Sequence, residues 1–426
     1  MNNSLPHVLV IANEALSQGT SNGRTLRNLF LGWSSECVAQ IYLHGGLPDK
    51  SVCQTSFCCT DKMALDAFLR RKQRQHAEKS AMTSKTESRN RTAFTMLLRD
   101  LVWNSRRWAT EEFWQWADAF SPEVILLQAG DCGFMFKLAA DLSKRNRAPL
   151  VIYNSEGYYF KNYDYFRASG LSHCLYPLFR HFFRRQFRKT MRMTSHTIYL
   201  CDALRDAYAK EFSTPADVLY TVTELQPFDR EQEAAFFSAA YLGNLGVGRH
   251  EPLIEIGAVL HELSDRAVLH VYGRAPSEEI RKKLERADGI VYHGVVPYET
   301  VKQVMEQSDL LVHAENFSAF YREDLKYAFS TKIADSLASG RCFLLYAPEE
   351  MACSSYLRQN EAAYVVSDRQ ALRETLRKLL DDPSARYRYL KRASDTVAKN
   401  HSQERNAVRF QEILKEVAKK YENSAG

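Results

Sequence analysis

The chain of 426 residues has no CxxC or Cys/His ligand spacing, no DxD triplet, no long apolar run at its start and little charge excess, with 57 Lys and Arg against 51 Asp and Glu. Each absence removes a class. A membrane span needs about 20 consecutive apolar residues. The first apolar run, Val8 to Ala12, is far shorter and has no basic segment before it, so neither a transmembrane nor an exported protein is expected. Nine cysteines, an odd number, fall partly within apolar runs at Cys132, Cys201 and Cys342. They read as reduced, buried thiols of a cytoplasmic protein and exclude a disulfide framework or a zinc site. Without DxD, a metal-dependent diphosphate clamp is not expected, and no metal ligands are assigned. The net charge of +6 is too small to name a polyanionic partner by itself. What is present, 45% hydrophobic and 25% charged residues, is ordinary globular usage that excludes disorder, collagen and coiled coil. At ~150 residues per domain the length predicts two or three domains.

Short β-branched runs alternate with longer helical patterns throughout, which predicts parallel sheets with crossover helices. The first half offers strands at His7–Asn13, Val38–Leu43, Val124–Gln128, Leu150–Asn154, Thr197–Cys201 and Val218–Thr221. The second offers Ala239–Gly243, Val268–Gly273, Ile290–Gly294, Leu310–Ala314, Cys342–Tyr346 and Ala363–Val366. A polar stretch with Pro227 marks a linker near residues 224–236. The expected fold is α/β with two Rossmann-like domains, residues 1–225 and 226–400, followed by a helix in 401–426 that packs back toward the first domain.

The densest chemical signal lies at 308–348. A strand ends at Glu315, and a helix starts near Ser330, whose hydroxyl and the following Thr331 suit an N-cap. A helix start beyond a strand end can hold a phosphate through free N–H groups and its dipole. Lys332 adds a point charge, and Asp335, a turn further on, can accept hydrogen bonds from a ribose diol. The same residues also fit a capped surface helix with a solvated Lys and Asp. A second constellation is AAYLGNLGVGRH at 239–250, where Gly243, Gly246 and Gly248 follow a strand and precede a helix at Pro252–Leu263. The spacing GxxGxG is not the dinucleotide fingerprint. It allows close backbone approach to a phosphate, with Arg249 as a bidentate ligand, or simply a tight turn with a solvated Arg. The first strand empties into a loop with Gly23 and Arg24 before a helix, where open α/β sheets cover ligands. Glu156, beyond another strand end, either orients an acceptor hydroxyl or is structural.

These residues carry a resemblance. The glycine loop GNLGVGR, the strand LHVYGRAP with Arg274, the run YHGVVPYETVKQVMEQSDLLVHAENF and the segment FSTKIADSLASGRCF are similar to the C-terminal domain of retaining glycosyltransferases of family 4. That family has the GT-B architecture of two facing Rossmann-like domains with an interdomain cleft. The resemblance covers roughly residues 236–400 by motif and the first half by pattern. It implies that Ser330, Thr331 and Lys332 sit at the donor diphosphate with Arg249, and that Asp335 holds the ribose. It also places the backbone at Gly294 and Val295 beside the base. Many members carry a Glu-x7-Glu pair; Tyr327 stands at the first position here and Asp335 at the second, so Glu315 is the expected carboxylate near the donor sugar. Glu156 stands where members often have a His. The implied activity is transfer of a sugar from a nucleotide-diphosphate donor, UDP-linked, to a hydroxyl acceptor with retention, without a cofactor or metal. A GT-B nucleotide-sugar epimerase would share the donor site.

Basic charge is concentrated in the first half: eleven Lys or Arg against three acids in 69–108, and eight against one in 161–195. In YPLFRHFFRRQFRKTMR, at 100° per residue, Phe179, Phe182, Phe183, Phe187 and Met191 share one face and Arg184, Arg185, Arg188, Lys189 and Arg192 the other. Arg70, Arg71, Lys72 and Arg74 sit beside Phe68 and Leu69. Either the aromatic face packs on the core and the cations are solvated, or the first domain docks on an anionic membrane surface as a peripheral protein and takes a lipid-linked saccharide in surface polysaccharide assembly. A basic nucleic-acid binder would leave the diphosphate constellation without a role, so no nucleic-acid partner is expected.

Overall fold

A computed structural model describes residues 5–70, 91–228 and 237–425. The chain forms two compact units, Met1–Tyr220 with Gln403–Gly426, and Thr221–Ser402. Arg71, Lys72 and Arg74, and most of the predicted linker, lie outside the described residues.

The first unit is built on seven parallel strands: β1 (Val8–Glu14), β2 (Val38–His44), β3 (Thr55–Cys58), β4 (Val124–Gln128), β5 (Leu150–Asn154), β6 (Thr194–Tyr199) and β7 (Ala216–Val218). Their order is β3-β2-β1-β4-β5-β6-β7. The second unit has six parallel strands: β8 (Phe237–Leu242), β9 (Ala267–Tyr272), β10 (Ile290–Gly294), β11 (Leu310–Ala314), β12 (Cys342–Tyr346) and β13 (Tyr364–Val366), in the order β10-β9-β8-β11-β12-β13. Both sheets are doubly wound. The chain direction across the sheet reverses between β1 and β4 and between β8 and β11, the switch points where such sheets leave a crevice at their carboxyl ends. The α/β, Rossmann-like expectation therefore holds for both units.

Eleven of the twelve predicted strands are present to within a few residues, whereas the one expected at Val218–Thr221 lies at Ala216–Val218, half-buried at the sheet edge. The central strands are legible because a parallel strand buried on both faces reads as a continuous apolar run. VILLQ and LVIYN, for example, are buried at every position. The thirteenth, β3, is TSFC, a half-buried edge strand too short and polar to stand out. The last helix, Gln403–Ala425, belongs to the first unit, where Phe410, Ile413 and Leu414 join the cluster around Val8, Val10 and Trp33. The Phe410 ring meets Phe30 edge-on at 5.1 Å. Truncating so buried a ring typically costs ~3–5 kcal/mol.

The helix Tyr176–Met191 departs from its expected faces. Phe179, Phe183, Phe187 and Met191 are buried, but Phe182 is exposed, because it lies 100° round from Phe183, at the edge of the stripe and beyond reach of the core. Nor are all its cations simply solvated. The Arg184 guanidinium lies 4.3 Å from the Tyr159 ring centre, and Arg188 Nε donates to the Tyr159 hydroxyl at 2.8 Å. The helix expected from Ser330 begins at Lys332 and ends at Ala338; Thr331 occupies the cap in a helical conformation without a side-chain capping bond. The helix expected from Pro252 begins at His250.

Candidate active site

In the second unit the expected site residues gather at the carboxyl ends of adjacent strands. Gly246 and Arg249 follow β8, Arg274 follows β9, Gly294 ends β10 and Val295 follows it, Glu315 follows β11, and Ser330, Thr331, Lys332 and Asp335 lie in the crossover from β11 to β12. The glycine loop is held closely. Gly273 has φ +147, and a Cβ there would stand 1.8 Å from the Gly243 carbonyl oxygen. Gly248 has φ +74, and a Cβ would come within 2.6 Å of Tyr321 and Asn316. Asn316 fixes the loop by donating from Nδ2 to the Gly248 carbonyl at 2.8 Å. Lys332 rises against the same loop: its Cδ is 3.2 Å from where a Gly243 Cβ would be.

The charged centre of the site is a buried pair. Arg249 donates from Nε and Nη2 to the two oxygens of Glu315, at 2.9 and 2.7 Å. Glu315 Oε1 also faces His313 Nε2 at 3.0 Å. Glu315 is only 4% exposed. Burial opposes its charge, but Arg249 and His313 outweigh this and hold the carboxyl down to about 2. Burial likewise opposes the Arg249 cation and Glu315 outweighs it, raising its pKa. Burial pushes His313 down, and because a carboxylate only accepts, its Nε2 carries the hydrogen that Glu315 receives. The third nitrogen of Arg249, Nη1, points to the Asn244 carbonyl of the glycine loop at 3.4 Å. Glu315, expected as a carboxylate at the donor sugar, thus spends both oxygens on Arg249. Asp335, expected to hold a ribose, accepts from the Thr223 hydroxyl at 2.6 Å. Gly294 has open space where a Cβ would be, and Val295 is exposed.

In the first unit, Gly23 and Arg24 follow β1 and Glu156 follows β5. Gly23 has a packing reason to be glycine: inside the helix Ser21–Leu29, a Cβ would stand 2.3 Å from the Ala15 carbonyl oxygen. Arg24 Nη2 reaches the Gln18 carbonyl at 3.5 Å. Glu156 Oε2 lies 3.9 Å from Lys161 Nζ, and that ammonium sits over the rings of Tyr158 and Tyr165 at 4.8 and 4.9 Å. Sequence reasoning missed Asp131. It follows β4, is buried, accepts from the Tyr165 hydroxyl at 3.0 Å and pairs with Arg91. A signal existed, since Gly130 and Asp131 end an apolar strand. His313 and Asn316 were missed beside Glu315, in the same HAENF motif.

Comparison with known proteins bears on these arrangements. The Glycosyl transferase-like family matches residues 256–412. A search of curated proteins by sequence finds no match. Among solved structures, the chain is similar to sucrose-phosphate synthase from Thermosynechococcus elongatus at 11% identity, with a TM-score of 0.63 over 96% of this chain and 98% of that one. Anabaena HepE in complex with UDP is similar at 12% identity and a TM-score of 0.59, over 96% and 99%. WaaG, a glycosyltransferase involved in lipopolysaccharide biosynthesis, follows at 12% identity and 0.55, over 96% and 99%. At these identities the likeness shows the fold: two parallel-sheet Rossmann-like domains of the GT-B type.

Proposed function

We propose that the chain is a retaining glycosyltransferase that moves a sugar from a UDP-linked donor to a hydroxyl of a saccharide acceptor, one carried on a lipid in surface polysaccharide assembly. The observation that carries this reading is the convergence of the glycine loop, Lys332 and the Arg249–Glu315 pair on the carboxyl ends of β8 and β11. The match to the Glycosyl transferase-like family and the UDP in the HepE structure support the donor class.

Breaking the bond to the anomeric carbon builds negative charge on the departing diphosphate. Fixed cations and backbone N–H groups aimed at that charge lower the barrier, typically by several kcal/mol for each well-placed donor. Lys332 supplies the point charge, and the glycine loop admits the phosphates to backbone N–H groups. Glu315 acts as a positioning group: by occupying Nε and Nη2 of Arg249 it directs Nη1 toward the loop. Gly294 and Val295 flank the base, Asp335 the ribose and Arg274 the phosphates. On the acceptor side the first unit offers Glu156, Gly23 and Arg24, with Asp131 beside them in the strand order. With no DxD in the chain, turnover is expected to survive chelator.

Thermal shift against nucleotides and nucleotide sugars tests the donor class. A ligand at ~100 times its Kd adds ~2.7 kcal/mol of stability, and uridine diphosphates should do so before other nucleotides. Product analysis then separates transfer from epimerisation, which would return a changed nucleotide sugar without any acceptor. Absence of stabilisation by every nucleoside diphosphate overturns the proposal.

A further inference from the structure

The helix Ala93–Asn104 in the first unit carries apolar side chains on its outward face as well as its inward one. Its outward positions carry Phe94, Leu98 and Leu101, which are 46%, 45% and 58% exposed. Its two charged side chains turn inward. Arg99 donates to Asp61 and to the Cys132 sulfur, and Asp100 accepts from the Phe134 N–H at 3.0 Å. Ala93, Met96 and Trp103 bury one apolar face, but the second stripe, Phe94, Leu98 and Leu101, is left toward water, where a folded chain gains nothing from it.

The stripe continues on neighbouring elements. The helix packs against Asp61–Phe68 on one side and Tyr176–Met191 on another, and Phe94 N–H donates to Ser172 next to Leu171. Leu65, Leu69, Leu171, Leu178 and Phe182 are exposed on these segments. Eight of the fourteen exposed large hydrophobic residues among the described residues therefore belong to one group of packed segments. Beside them, Arg180, Arg184, Arg185, Arg188, Lys189 and Arg192 line a recess of about 740 Å³ with no carboxylate in its walls among the described residues. Arg180 and Arg184 each keep a buried Nε without a partner.

We infer that these segments form one membrane-docking surface, in which Phe94, Leu98, Leu101, Leu178 and Phe182 enter the interface of an anionic bilayer while the Arg and Lys recess receives lipid headgroup phosphates. An apolar stripe bordered by cations that face no carboxylate among the described residues suits the headgroup boundary, where the first is withdrawn from water and the second meets negative charge. A soluble polyanion would use the cations and leave the stripe in water. No helix among the described residues is long and apolar enough to cross a membrane, so the contact is interfacial. Binding is read without catalysis, so its failure leaves the glycosyltransferase proposal standing.

The test is co-sedimentation of the full chain with phosphatidylcholine vesicles, with and without phosphatidylglycerol. Wild type should bind only the anionic vesicles. Arg185→Gln with Lys189→Gln and Arg192→Gln should weaken partitioning about 100-fold. Phe94→Ser with Leu98→Ser and Leu101→Ser should keep the melting temperature, lose at least ~10-fold in partitioning, and lose what remains at about 1 M salt, where the screening length falls to ~3 Å. A polarity-sensitive dye on the exposed Cys174 of otherwise wild-type protein should shift to the blue on binding, a reading independent of how the serine variant folds. Equal partitioning of the serine variant and wild type, no blue shift, or displacement by soluble polyphosphate with no dependence on the apolar residues would overturn the surface. So would concentration-dependent self-association abolished by the serine substitutions, since a second copy would then be the occupant.

Discussion

In the second unit two cations near the sheet are neutralised inside the protein: Arg249 is held by Glu315, and Arg386 by Asp309 at 3.0 Å, with all four side chains largely buried. In the first unit, built on the same doubly wound plan, five cations of one helix and Arg192 at its end line a recess with no carboxylate among the described residues, and a neighbouring helix turns Leu98 and Leu101 to water. The difference teaches where each unit's free energy goes. A buried charge must be paired or its desolvation is ruinous, so the second unit spends acidic residues on ordering a small polar centre. The first also pairs cations, Arg91 with Asp131 and Arg99 with Asp61, but among its described residues it leaves one basic helix face and one apolar stripe unmatched, the surface we assign to a membrane.

The largest expected effect comes from breaking the pair. Glu315→Gln strands the Arg249 cation in a buried place and should cost ~3–5 kcal/mol of stability, seen as a large fall in the second unit's melting temperature. Replacing both, Arg249→Met with Glu315→Leu, should recover most of that loss while abolishing stabilisation by nucleoside diphosphates. A Glu315→Gln protein that melts like wild type would show that the pair is not what holds the centre together.

Lys332→Ala should separate chemistry from folding. The side chain lies over the glycine loop and not in the core, so melting should not change. Removing a charge aimed at the leaving diphosphate should cost ~2.7–4 kcal/mol in the barrier, roughly 100- to 1,000-fold in turnover. Near-normal turnover with an unchanged melt would remove Lys332 from the donor site.

Acid pH sharpens the contrast between the units, because each holds a titrating group shifted in the opposite sense for stability. His401 in the second unit faces the Thr221 carbonyl at 2.6 Å and the Tyr356 hydroxyl at 2.8 Å, and burial lowers its pKa to about 4. Its folded value is below the unfolded one, so its contribution is complete above pH ~6.5 and is lost toward pH 4, at most about 3 kcal/mol. Asp100 in the first unit is pushed up to about 6 by burial. Its folded value is above the unfolded one, so the fold is favoured at low pH and penalised as pH rises through about 6, by up to about 3 kcal/mol. Asp100→Asn should therefore melt higher than wild type at pH 7 and no higher at pH 4. A variant that melts lower at pH 7 would mean that the bond to the Phe134 N–H outweighs the buried charge.

How much of this was legible depended on sequence distance. The sheets were readable because each buried strand announces itself within five residues, as VILLQ does. The contacts that define the site join residues far apart: Arg249 and Glu315 are separated by 66 positions, Thr223 and Asp335 by 112. No periodicity relates such pairs, so Arg249 and Glu315 were read separately, as a phosphate ligand and a sugar-side carboxylate, when they face each other. The helix at 93–104 was illegible for another reason. AFTMLLRDLVWN has an apolar stripe that looks like a core face, and only the packing shows Trp103 turned in and Leu98 and Leu101 turned out.

The smallest expected effect lies at Asp335, where structure and ligand compete for one carboxylate. Its Oδ1 accepts from the Thr223 hydroxyl, and the Thr223 N–H donates to the His401 carbonyl, so part of the residue's worth is holding together the two ends of the second unit's chain. Losing a charged hydrogen bond typically costs ~1.5–3 kcal/mol. In Asp335→Ala that cost should divide between a small fall in melting temperature and a higher KM for the donor. Asp335→Asn keeps an oxygen for Thr223, so its melt should match wild type while a weaker acceptor faces the ribose diol, leaving the rise in KM and removing the stability loss. If both variants lose only stability and bind donor normally, Asp335 is a brace for Thr223 and the ribose contact lies elsewhere on the second unit's edge.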